Sequence, residues 1–361
     1  MSDIGNYLVE KIGKEYFTEK KVEGSEVPAL AENNGKRIVI GIIRETIGPF
    51  INRSSIPDET ITFRIDNNNE TRDVVEVPAR KFKSKEKLLG TRLCRLYGVM
   101  DKDVNERNKK YRYNSLSSVV MLKNPVSGIF GDTVVSGDTA GQGMFPSRVL
   151  YSSSYSIRDR SLITNRLTHN SLSYNGTMWD QEDGKNRQSL FETEYVVPGV
   201  YFSSFLTLID PTPETLFFIL ETLHENSYGA QTSITGTNFR NNIIFITGCD
   251  NEPPISSYEI SRDLNTNKID YQTLKNFIID KLLSVSNKNS KIISGEELNN
   301  IIDFLAKANF DKKKSALEKL NSDIEDLWLY SNFGKKSKSK KNKTKESVAK
   351  EETDLDRFEE E

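Results

Sequence analysis

Ten residues, RIVIGIIRET from Arg37 to Thr46, constrain the fold more than any other stretch. The run is β-branched, apolar and short, which predicts a buried strand. Three further runs share its character: RVLYSSSYSI from Arg148, YFSSFLTLID from Tyr201 and IIFITG from Ile243. Two helical patterns separate them. From Glu86, Leu88, Leu89, Leu93, Leu96 and Tyr97 fall at helical spacing, Gly98 suits the end, and Ser84 offers a partial cap. PETLFFILETLHEN follows Thr212 with proline in its first turn, a start signal. The order is strand, helix, strand, strand, helix, strand. That predicts an α+β chain with a modified ferredoxin-like core, βαββαβ, decorated by large insertions.

The rest of the chain fills in around this frame. Residues 1–36 read as a polar, irregular segment and 37–255 as the core domain. Insertions occupy about 46–147 and about 158–200. The first holds short strands, a loop tip at Asn67, Asn68 and Asn69, a strand SSVVML from Ser117, and a glycine-rich connection, NPVSGIFGDTVVSGDTAGQGMFPSR. The second reads as an extended hairpin with turn signals at Tyr174-Asn175-Gly176 and Asp183-Gly184. Residues 256–333 are helical, with Ser294 and Glu297 as a capping box. The tail 334–361 separates into a lysine block and an acidic block, the composition of a disordered segment.

Composition excludes more than it selects. With Cys94 and Cys249 as the only cysteines and His169 and His224 as the only histidines, zinc sites, disulfide frameworks and histidine-based catalysis lack parts. His224 reads as a helix-end residue. No cofactor and no metal are expected. The N-terminus shows no secretory signal and no apolar run reaches membrane-span length, so a cytoplasmic protein is expected.

The net charge is −2, yet residues 78–123 carry thirteen lysines and arginines against four acids. KFKSKEK, if extended, presents Lys81, Lys83, Lys85 and Lys87 on one side. Together with Arg92 and Arg95 this is either a phosphate track or a solvated charged face. A second candidate is YGAQTSITGTNFRNN, Tyr228 to Asn242. Gly229 and Gly236 permit close backbone approach, Gln231, Thr232, Ser233, Thr235 and Thr237 offer donors, Tyr228 a ring and Arg240 a cation. The bland alternative is a tight polar turn. It is no Walker loop, because no lysine follows Gly236. Met178 and Trp179 near the hairpin end wedge between bases, pack on a neighbour, or fold back. Asp132 and Asp138 bind Mg²⁺ or form turns.

These pieces resemble, in order, the backbone subunit of type I-D CRISPR (Cascade-like) effector complexes, within the repeat-associated RNA-binding superfamily. The matching stretches are EKLLGTRLCRLYGV, the loop ending in SRVLYSSSYSI, YNGTM through YFSSFLTLIDPTPETLFFIL, and above all SYGAQTSITGTNFRNNIIFI. The resemblance implies an RNA-recognition-motif-like palm with fingers and a thumb, the thumb displacing a guide base at intervals. It implies a helical filament of copies along crRNA, pairing with target DNA, and contact with a large subunit and a guide 5′-handle-binding subunit. Carried over, Tyr228, Gly229, Gln231, Thr232, Thr235 and Gly236 line the guide, Arg148 sits in the matching SRV element, and Met178 lies near the thumb tip. Relatives can carry a cysteine cluster where this chain reads KNPVSGIFGD, so that loop must hold its shape by other means.

Two function classes follow. One is a non-catalytic guide-binding protein. The other is a metal-dependent endonuclease using Asp132, Asp138, Asp159 or Asp180. A generic RNA-binding module outside CRISPR is a third reading.

Overall fold

The computed structural model describes residues 1–331 apart from 19–26, 32, 54–58, 68–69, 101–118, 136–141, 171–176, 181–183, 187–189, 225–234, 265 and 267. Its centre is an antiparallel sheet. Strand β1 (Arg37–Thr46) pairs with β12 (Tyr201–Ile209) on one side and β13 (Phe239–Cys249) on the other. The outer flank of β12 takes β6 (Val149–Tyr151) and β7 (Ser154–Asp159), and that of β13 takes the short β14 (Lys291–Ser294). The hairpin β2 (Thr62–Asn67) and β3 (Glu70–Val77) extends the sheet beyond β7.

The continuous apolar run of β1 is explained by burial on both faces. Ile38, Ile40 and Ile42 point into one core, Val39 and Ile43 into the other. A register shift between Gly41 and Ile42 marks a bulge against β13. The first core holds α1 (Asp3–Ile12), α2 (Ala79–Leu96), α3 (Pro125–Phe130), α5 (Pro213–His224), α8 (Gly295–Lys307) and α9 (Phe310–Tyr330). The second is covered by α6 (Ser257–Asp263) and α7 (Tyr271–Val285). The short α4 (Arg160–Ile163) leads into the arm strands β8 (Thr164–Asn170) and β11 (Leu190–Val196), which pair with each other. Small hairpins β4 (Asp132–Val135) with β5 (Gln142–Phe145), and β9 (Trp179–Asp180) with β10 (Lys185–Asn186), complete the described strands.

Several expectations change. Within 1–36, Ser2 caps α1 and Ile4, Leu8 and Ile12 are buried at helical spacing, so the segment is not wholly irregular. Of SSVVML, residues 119–122 form a 3-10 turn rather than a strand, with Val119, Met121 and Leu122 inside. The glycine-rich connection contains α3 and the β4–β5 hairpin. Asn124 accepts from the Ser127 N–H and donates to the Met121 carbonyl at 2.6 Å, which is how KNPVSGIFGD keeps its shape. Ser294 stands at the α8 N-cap, but its hydroxyl makes no capping hydrogen bond. The region beyond 270 also contains a strand, β14. Tyr174-Asn175-Gly176, Asp183 and the charged tail lie outside the described residues.

Candidate nucleic-acid interface

The largest correction concerns the lysines. KFKSKEK is not extended: α2 begins at Ala79 behind Pro78, seven residues before the Glu86 start read from the leucines, so Ser84 caps nothing. The reason is that Phe82, Glu86, Leu89 and Leu93 form one inward stripe with the later turns, and that pattern includes the lysine run. Alternate lysines on a helix point to different sides, while residues four apart share one. The four therefore divide into two pairs.

Lys83 and Lys87 face the α3–β4 connection. Lys83 donates to Ser147 Oγ at 2.7 Å, and burial holds its pKa below the ordinary lysine value. Lys87 forms an ion pair with Asp132 and donates to the Gly131 carbonyl at 2.9 Å. Asp132 also accepts from Ser127 Oγ at 2.7 Å.

Lys81 and Lys85 face the other way, in line with Arg92 along the outer side of α2, while Arg95, one turn on, has its Nε and Nη2 buried. Over Lys81 to Arg92 this stripe runs about 16 Å at 1.5 Å per residue. Arg92 is exposed. Lys85 and Arg80 have no partner among the described residues. Lys81 is different: its ammonium donates to Asn52 Oδ1 at 2.8 Å and to the Arg53 carbonyl at 2.6 Å. Burial, with Arg80 adjacent, pushes its pKa down to about 8. It fastens the 52–53 segment to the helix. Beside Lys81 lies a furrow of about 420 Å³ lined by Phe50, Val77, Arg80, Lys81, Phe82, Ser84 and Lys85.

The second candidate reaches the same end of the molecule. Gly236 has φ +70°, a conformation that suits glycine, with open space where a side chain would be. The Ile47 N–H donates to the Asn238 carbonyl at 3.0 Å, and Asn238 Nδ2 donates to Thr235 Oγ1 at 3.2 Å. A side chain on Gly48 would meet the Thr237 carbonyl, so two backbones pass closely there. Arg240 is exposed, 3.6 Å from Glu45. Tyr228, Gly229, Gln231 and Thr232, and with them the core of this expectation, lie outside the described residues.

Buried groups join the two candidates. The Phe239 ring packs against Phe82 at 5.5 Å and Phe50 at 4.6 Å. Arg44, fully buried, pairs with buried Glu86 at 2.7 Å and donates to Asn241 Oδ1 at 3.0 Å. Its guanidinium lies 3.9 Å from the centre of the Phe82 ring, and the Tyr151 hydroxyl donates to the Glu86 carboxylate. One ion pair thus locks α2, β1 and β13 together.

The arm roots here too. Phe50 and Val196 exchange backbone hydrogen bonds of 3.0 and 2.8 Å. Arg160 and Glu194 pair at 2.9 Å, and Glu194 accepts from the Thr60 N–H at 2.7 Å. Burial alone would raise the Glu194 pKa, but Arg160 and the Thr60 N–H hold it below the ordinary value. Met178 is half-buried and Trp179 half-exposed near β9.

Arg148 departs from this assembly. Its carbonyl accepts from the Ile209 N–H, and its guanidinium donates to the Leu30 carbonyl. Ile209 pairs with Arg37, whereas Arg240 pairs with Glu45, so Arg148 stands about 26 Å along the sheet from Arg240. Burial lowers its pKa. The sequence does not single out Arg80, Phe50 or Asn52. Arg80 lies within the basic run, but Phe50 and Asn52 carry no local signal.

Of the aspartates, Asp132 is tied to Lys87 and Asp159 to Arg72 at 3.1 Å. Asp138 and the Asp180 side chain lie outside the described residues. Among the described residues no three potential metal ligands gather, and no helix is long and apolar enough to cross a membrane.

The fold is that of a CRISPR protein. The crystal structure of Thermofilum pendens Csc2 superposes with a TM-score of 0.60 over 91% of this chain and 98% of its own, at 14% identity. A chain titled as part of a CRISPR RNA-guided surveillance complex aligns over 82% of this chain at 10% identity, with a TM-score of 0.43. No curated protein sequence matches. The family model described as Csc2 Crispr matches residues 61–329, and the chain belongs to the Csc2 family, crRNA-binding backbone subunits of CRISPR effector complexes.

Proposed function

We propose that this chain grips guide RNA at the end of the sheet where α2, the 235–240 segment and the arm root meet. As a backbone subunit of a type I-D Cascade-like complex, it stacks on further copies of itself along the crRNA. It presents the bases for pairing with target DNA while reading backbone and shape itself. The observation that carries this is the outward pair Lys85 and Arg92 beside the furrow, with Thr235, Gly236 and Arg240 around Phe239 and the arm leaving from Val196.

The central strand order, β13–β1–β12 followed by β6 and β7, with α2 and α5 on one face, supports a ferredoxin-like palm. The β2–β3 and β4–β5 hairpins then act as fingers and the β8–β11 arm as the thumb. An RNA-recognition motif stacks bases on its open sheet face. Here α6 and α7 cover that face, so the strand passes across the sheet's end. The engaged states of Asp132 and Asp159 favour holding over cutting.

The test compares two pairs of substitutions. Lys85→Ala with Arg92→Ala is expected to weaken single-stranded RNA binding and flatten its salt dependence, by about 0.7 in log–log slope for each phosphate no longer neutralised. Lys83→Ala with Lys87→Ala is expected to leave that slope unchanged, because both ammonium groups are engaged internally. Equal effects from both pairs, or none from the first, would remove the outer face of α2 from the interface.

A further inference from the structure

We infer that the furrow beside the first turns of α2 holds one unstacked nucleotide of the bound strand, its phosphate on Arg80 and Lys85 and its base against the apolar inner wall, whatever the base. This rests on the guide-RNA reading above and adds a discrete subsite to it.

The furrow combines two chemistries that seldom meet. Its inner wall is apolar, from the methylene stems of Arg80, Lys81 and Lys85, with Val77, Phe50 and Phe82 almost fully buried behind them. Its rim carries three cations and no acid among the lining residues. A bare phosphate makes no use of the apolar wall, and an apolar side chain makes none of the rim. A nucleotide uses both. The volume, about 420 Å³, lies within the range of about 300–1,000 Å³ typical of small-ligand sites.

Lys81 is a wall rather than a clamp, because its ammonium is spent on Asn52 and Arg53. That leaves Arg80 and Lys85 for the phosphate, with the exposed Ser84 hydroxyl between them. The lining holds no side-chain amide and no carboxylate, the groups that read adenine or cytosine edges, and Arg80 and Lys85, the type of group that reads guanine, are taken up by the phosphate. A base entering here is therefore taken by shape, and it must leave its neighbours to enter, which restricts the site to single strands. The other hollows differ. The cleft below His224 has the acids Glu221 and Asp303 on its rim and no lysine or arginine. The hollow around Arg72 and Arg160 has both cations paired to carboxylates.

The experiment uses the full chain and homopolymer single strands carrying photoreactive bases, 5-iodouridine in one and 8-azidoadenosine in the other. Crosslinks are mapped by mass spectrometry. The expected result is crosslinking within residues 80–85 with both strands. Ser84→Trp, at an exposed helix position, is expected to reduce those crosslinks at least tenfold without lowering the melting temperature. Arg80→Ala with Lys85→Ala is expected to flatten the salt slope by about 0.7, one phosphate. Strands that bind but crosslink only elsewhere would overturn the subsite and leave the guide-RNA reading standing. Crosslinks from one base type alone would overturn its indifference to sequence. A wild-type chain that binds no single strand would remove both.

Discussion

Glu86→Ala is expected to cost this chain more stability than most single substitutions. Arg44 and Glu86 are effectively unexposed and 2.7 Å apart. Removing the carboxylate leaves a guanidinium in the core with Asn241 and the Phe82 face around it. Breaking a buried pair from one side costs about 3–5 kcal/mol, because an uncompensated charge remains desolvated. The retained cation–π interaction, worth about 2 kcal/mol or more when desolvated, is present in both proteins and offsets nothing. At about 2 °C per kcal/mol for a chain of this size, the melting temperature falls by about 6–10 °C. Thermal unfolding followed by circular dichroism measures this. Arg44→Met combined with Glu86→Leu removes both charges and is expected to recover to within about 3 °C of wild type, since apolar replacements of buried pairs are often neutral. A shift below about 2 °C for Glu86→Ala would refute the reasoning, as would a double variant worse than the single. Arg44 also holds Asn241, whose amide donates to the Leu223 carbonyl, so breaking the pair loosens the end of α5 as well.

Lys81 gives up its proton near pH 8 in the folded chain and at the ordinary 10.5 when unfolded. Between those values the unfolded chain holds more protons, so this residue's contribution is least favourable below pH 8 and improves as pH rises to about 10.5. The melting-temperature difference between wild type and Lys81→Gln is expected to shift toward wild type from pH 7 to 10, and a constant difference would contradict the burial. The thiols make a separate test. Burial pushes Cys94 up to about 12 and Cys249 up to about 11, and both are fully enclosed. Ellman's reagent at pH 8 is expected to find neither in the native chain and both after denaturation, whereas prompt native reaction of either would contradict their placement.

What could be read from the sequence depended on how local the cause was. β1 was legible because a strand buried on both faces must be apolar throughout. The α5 start was legible because Pro213 stands at its first position, and the structure adds a cap, Thr212 accepting from the Thr215 N–H at 3.2 Å. The lysine run misleads because alternation resembles a strand, and nothing local says that Glu86, a charged residue, points inward. Its burial depends on Arg44, 42 positions earlier. Arg148 reads as a guide-side residue because its true partner is the Leu30 carbonyl, 118 positions away. The furrow was invisible for the same reason: Phe50 reaches it only when Val196 holds it there, and Lys81 becomes its wall only when Asn52 and Arg53 hold its ammonium. Ser2, Ile4, Leu8 and Ile12 did carry a capped helical pattern, hidden by polar neighbours.

Native mass spectrometry of the chain with single-stranded RNAs of increasing length and unrelated sequences tests the central claim most directly. A backbone-tracking grip predicts that bound copies increase stepwise with length and are the same for every sequence. A single copy at a fixed motif, whatever the length of the RNA, would contradict it.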